Sequence, residues 1–179
     1  MKEKSKFSLM DLKDEKLVKL VKKTDKKILA VWAIDCAERV MPYFKKEYPK
    51  DSRPRKAIEA LQEWIDTGIF SMKVIRKASL DSHAAARKAK ADGNDAACFA
   101  ARAAGHSVAT AHVPQHAYGP SYYALKAVAA ADPIHANTKI LKEYNWQSKH
   151  FPKNPGLKKG WEDWRSKRLP KELKKVLGE

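Results

Sequence analysis

The chain has 179 residues, a formal net charge of +16, 44% hydrophobic and 32% charged side chains. That length predicts one domain able to bury a core without cross-links, and that composition excludes a disordered or collagen-like chain. No apolar run reaches the roughly 20 residues a membrane helix needs, and the basic N-terminus carries no apolar stretch with a cleavage site, so a cytoplasmic protein with no membrane partner is expected.

In chain order, LKDEKLVKLVKK (12–23) predicts a short amphipathic helix with Leu17, Leu20 and Val21 on one side. Thr24 or Asp25 can cap the next helix, ILAVWAIDCAERVMPYFKKEY, which ends before Pro49. Pro42 inside it predicts a kink or an early stop near Val40. In DSRPRKAIEALQEWIDTG, Ser52 is the expected N-cap, Pro54 suits the first turn and Gly68 the C-cap. SMKVIRKASLDSHAAARKAKADG follows, with Ser71 as cap and Gly93 as stop. Asn94 or Asp95 opens the alanine-rich helix DAACFAARAAGHSVATAHV, Gly119-Pro120 opens PSYYALKAVAAA, and Asp132 caps PIHANTKILKEYNWQSKHF. Pro152, Pro155, Gly156 and Gly160 break up the tail, with a short helix expected after Pro170.

Between Ala78 and Ala131, 20 of 54 residues are alanine. Alanine combines high helix propensity with little bulk between helix axes, so these helices belong inside. The expected fold is all-α: a single-domain multi-helix bundle over residues 1–150 with alanine-rich inner helices. Residues 151–179 form a basic, tryptophan-containing extension packed on the same domain. Cys36 and Cys98 read as reduced, buried thiols, since no CxxC pattern occurs.

The charge sits in the ends: residues 1–27 carry +5, residues 135–179 carry +7, and the longer middle only +4. Such ends attract phosphate backbones and acidic proteins alike. Trp161 and Trp164 in the basic tail are three residues apart, suited to docking on the bundle or to stacking on bases.

Three of six histidines fall in GHSVATAHVPQHAYG (105–119): His106, His112 and His116. His112 and His116 would share a face of an unbroken helix, as zinc ligands do in HExxH, but no Glu lies between them and Pro114 interrupts the helix. His106 lies about 240° from His112 on an ideal helix and faces elsewhere unless the break redirects it. A hydrogen-bonded polar network is the expected state, with a zinc or iron site and a catalytic histidine as alternatives. Asp35 and Arg39, four apart in WAIDCAERV, read as an internal ion pair; the alternative places Asp35 in a pocket with a histidine. Arg53 and Arg55 open a helix where positive charge is unfavourable, so Asp35, Glu38 or a partner's acid must compensate unless they are simply solvated.

WAIDCAERVMPYF, then DSRPRKAIEALQEW, then AARAAGHSVATAHVPQHAYGPSYYALKAV together resemble a bacterial and archaeal family of immunity proteins from polymorphic toxin systems. The likeness spans roughly residues 28–145. It implies an all-helical protein that neutralises a cognate toxin by binding it, with no cofactor and no turnover. The matching positions are Asp35, Cys36, Glu38, Arg39, Arg53, Arg55, His106, Thr110, His112 and His116. Of these, Asp35, Arg39, Arg53, Arg55 and the three histidines make up the candidate polar binding pocket. Nuclease inhibitors tend to be acidic, because they compete for a phosphate-binding surface. A charge of +16 therefore points to a toxin that is not a basic nuclease, or to an acidic contact surface that is local. The charge keeps two alternatives open: a nucleic-acid-associated helical protein using the basic ends, and a small metal-dependent enzyme using the histidines.

Overall fold

Apolar residues recur on more than one face of Lys26–Glu47, and this segment forms the longest described helix, α1. Asp25 caps it, its Oδ1 accepting from the Lys27 amide at 2.9 Å. The computed structural model describes residues 25–153 and 155–178 together with Lys19, so the helix expected over 12–23 lies outside the described residues except at Lys19. Pro42 does not stop α1 early near Val40; the helix runs on to Glu47 and ends before Pro49, as its sequence predicts. Proline removes one backbone hydrogen bond, but Val40, Met41 and Phe44 around it are buried, and that packing holds the segment helical.

α2 spans Arg53–Thr67 and stops at Gly68, whose φ of +72° is the left-handed conformation glycine adopts without strain. Ser52 makes no capping bond with its side chain; Asp51 accepts from the Arg53 amide at 3.1 Å instead. α3, Met72–Ala91, is capped by Ser71, whose Oγ accepts from the Val74 amide at 3.4 Å. α4, Asp95–Ala109, is capped by Asn94. It ends four residues short of the expected Val113, and a turn leads into a 3-10 helix over Pro114–Ala117. α5 covers Tyr118–Ala131 and α6 Ala136–His150; Asp132 accepts from the His135 amide at 3.2 Å between them. The tail is more regular than its prolines and glycines suggest. α7 runs Pro155–Ser166 through Gly156 and Gly160, and α8 spans Lys171–Val176. Proline at a helix start sacrifices no intrahelical bond, so Pro155 begins a helix rather than breaking one.

The fold is all-α, and no strand occurs among the described residues. α4 lies at its centre, packed against α1, α2, α3 and α5. Ala97, Ala100, Ala101, Ala103 and Ala104 are fully buried on it, so close approach of neighbouring backbones replaces interdigitation of large side chains. Large residues fill the opposite end, where the fully buried Trp161 of α7 lies 5.3 Å from Trp32 and 5.2 Å from Phe151 between ring centroids. Its indole N–H donates to Ser121 Oγ at 2.9 Å. The side chain of Trp164 lies outside the described residues. Cys36 and Cys98 are free and buried, and burial pushes the Cys36 thiol well up. No helix among the described residues is long and apolar enough to cross a membrane.

Candidate functional site

The end of α4 at Ala109 decides the histidine geometry. Helical angles no longer apply beyond it, and the turn and 3-10 helix carry His116 back over α4. His106 and His116, not His112 and His116, are the pair that meets: their Nδ1 atoms lie 3.3 Å apart. One of these atoms carries a proton and the other accepts it. His83, from the middle of α3, completes the group, its ring edge-on to His106 with centroids 5.0 Å apart. Tyr123 of α5 stacks on the other side of His106 at 5.3 Å. His112 is exposed at the turn.

Two glycines make room for these rings. A Cβ built on Gly105 would sit 2.7 Å from His83 Cε1, and one built on Gly119 would sit 2.7 Å from both Cβ and Cγ of His106. Each imidazole therefore rests on the bare backbone of the next helix, His83 of α3 on α4 and His106 of α4 on α5. The two clashes differ in kind. The His83 ring can swing away, whereas His106 Cβ moves only with its own backbone. Gly119→Ala is expected to lower stability by about 2 kcal/mol, while Gly105→Ala costs visibly less. Urea unfolding midpoints of the two variants check the order.

The cluster is neutral at ordinary pH. Burial, reinforced by Arg102, Arg87 and His116, pushes His83 down to about 4. Burial and His112 push His116 down to about 4. Burial, then His83 and His116, hold His106 well below the usual histidine range. A base of pKa near 4 takes up protons poorly at pH 7. Ser79 Oγ of α3 donates to the carbonyl of Gly105 at 2.8 Å, and Ser82 Oγ to that of Ala101 at 2.8 Å. Thr110 is fully buried, and its Oγ1 donates to the His106 carbonyl at 3.5 Å. Among the described residues no group of three or more His, Cys, Asp or Glu is arranged to hold a metal ion, and His83 Nδ1 is buried without a hydrogen-bond partner.

The other sequence candidates lie on α1 and α2, and among the described residues none shares a hydrogen bond or ion pair with the histidines. Asp35 is exposed, not the internal carboxylate that was expected. Arg39 does not pair with Asp35. Its Nε donates to Glu143 Oε2 of α6 at 2.8 Å, and its guanidinium lies 4.1 Å from the Trp146 ring centroid. Glu143 is buried and also accepts from Gln147 Nε2 at 3.0 Å. Arg55 grips Glu38 with both terminal nitrogens, and Arg53 is bidentate on Asp51 at 2.6 and 2.9 Å. The α2 N-terminus thus has its compensating acids within the chain.

Sequence reasoning missed His83 as a cluster member. Its signal was the small residues on its own face, Ser79, Ser82 and Ala86, which turn that side of α3 toward α4. Beside the cluster, a groove of about 400 Å³ opens between α3 and the His112 turn. Met72, Arg76 and Leu80 form one bank, Ala109 and His112 the other, and His116 lies along it.

The helical bundle thus holds a neutral polar centre with an open groove beside it. A family model described as Imm-5 like putative immunity protein matches residues 19–154. The chain belongs to this family of immunity proteins. No curated protein and no solved structure matches it.

Proposed function

We propose that the chain neutralises a cognate toxin by binding it, with no cofactor and no turnover. The observation that carries this reading is the family match over residues 19–154. The chemistry of the histidine centre supports it. Its imidazoles are neutral; His83 packs edge-on against His106, His106 stacks on Tyr123, and these two rings rest on Gly105 and Gly119. That is the arrangement of a fold-defining polar core. The free, buried cysteines suit a reducing compartment, in keeping with action in the cytoplasm of the producing cell.

Co-expression with the product of the adjacent open reading frame is expected to restore growth that this product suppresses, and to yield a 1:1 complex. A second reading rests on the charge, since the two ends carry most of the +16. It requires affinity for mixed-sequence duplex that falls steeply with salt. Affinity capture from source lysate with and without nuclease separates the two. One protein retained at 1:1 in both runs supports toxin binding. Material that vanishes after nuclease, with no growth rescue, overturns it in favour of the basic ends.

A further inference from the structure

Residues 69–80, IFSMKVIRKASL, hold five of the nine exposed large hydrophobic side chains among the described residues. Ile69 keeps 76% of its surface in solvent; Phe70, Met72, Val74 and Leu80 keep at least 42% each. Exposed apolar residues gathered in one segment mark an interaction site more often than scattered exposure does. The same twelve residues carry Lys73, Arg76 and Lys77 and no acid. Lys77 is engaged by Asp81, whereas Lys73 and Arg76 have no ion pair among the described residues. Met72, Arg76 and Leu80 recur every fourth residue along α3 and form a ridge with a groove on each side. The groove toward His112 has room for a side chain.

The geometry points to this face as the surface that receives the toxin, and to an occupant that presents an apolar side chain flanked by carboxylates. The inference rests on the toxin-binding reading and names its surface. Apolar contact with Ile69, Phe70 and Leu80 supplies the desolvated centre of the interface. Lys73 beside the ridge and Arg76 within it favour an acidic partner, whose carboxylates compensate the cations that docking removes from water.

The test is binding to the purified product of the adjacent open reading frame, with variants on this face and on α6. Ile69→Glu combined with Leu80→Glu is expected to weaken binding about 100-fold. Arg76→Glu is expected to weaken it about 10-fold, with a shallower salt dependence. Lys142→Glu and Lys149→Glu, exposed on α6, leave affinity unchanged. All these positions are exposed, so thermal midpoints stay at the parent value. Wild-type binding with the Ile69 and Leu80 variant unaffected overturns the surface and leaves the toxin reading standing. Apolar variants that lose binding while Arg76→Glu does not overturn the acidic occupant. A wild-type chain that binds no such product removes the functional reading and this inference together. A chain that sediments alone as a dimer through this face, or floats with phosphatidylglycerol vesicles, assigns the face to another occupant and also overturns the proposal.

Discussion

The thermal midpoint is expected to fall steeply as the pH is lowered from 6.5 toward 4, and the three buried histidines are the cause. In the unfolded chain each titrates near 6.5. In the fold, His83 and His116 are held at about 4 and His106 well below the usual range. Between those values the unfolded chain binds protons that the native state does not, so stability drops as pH falls. A group moved from 6.5 to about 4 loses on the order of 3 kcal/mol across the window. Two or three such groups draw heavily on the 5–15 kcal/mol available to a typical domain. The groups facing the cluster are Arg87, Arg102 and His112, all cationic or able to become so, and Tyr123; none offers a carboxylate to the new charge.

The shifted carboxylates act differently: partial burial raises Asp35, which works against this loss as the pH falls. Hydrogen bonds from Arg53, Lys88 and the His135 amide hold Asp51, Asp92 and Asp132 below the usual carboxylate range, so their contribution is lost only at lower pH. Thermal melts at half-unit steps from pH 7.5 to 4 give the slope directly. His83→Gln and His116→Gln each flatten it. A midpoint that holds steady from pH 7 to 5 sinks the account.

Trp161→Ala is expected to cost 3–5 kcal/mol. It empties a site between Trp32 and Phe151 and removes the N–H that Ser121 accepts. Trp161→Phe keeps much of the packing and loses about 1 kcal/mol for that hydrogen bond. Denaturant titration measures both, and an unchanged m-value shows that the loss is in stability. The result also tests whether residues 151–179 belong to the same domain as the bundle. A loss below about 1 kcal/mol for the alanine variant would mean that the tail is an appendage the fold can spare.

Local signals were legible in the sequence wherever a single residue type has one physical use. Gly68 and Gly93 end α2 and α3 with positive φ, and Ser71 and Asn94 cap the helices that follow them. The alanine run marks the inner helices because little else packs so closely. Signals failed where long-range packing outweighs local preference. Pro42 stays inside α1, and Gly156 and Gly160 stay inside α7. Pairings failed in the same way. Asp35 and Arg39 sit at ideal helical spacing, yet Arg39 turns to Glu143, 104 residues away, where a buried carboxylate needs a cation. The meeting of His106 with His116 could not be read from helical angles, since it depends on where α4 stops.

The two faces of α3 are built under different rules. Inward, Ser82, Ala85, Ala86 and Ala89 are wholly or almost wholly buried where helices nearly touch, and any larger side chain there meets backbone. Outward, Met72, Arg76 and Leu80 are exposed and border the shallow grooves beside them. Substitutions on the outward ridge leave the interior untouched. Under the proposed role of α3, a lineage can therefore rewrite what this helix recognises, residue by residue, while the architecture that displays it stays the same.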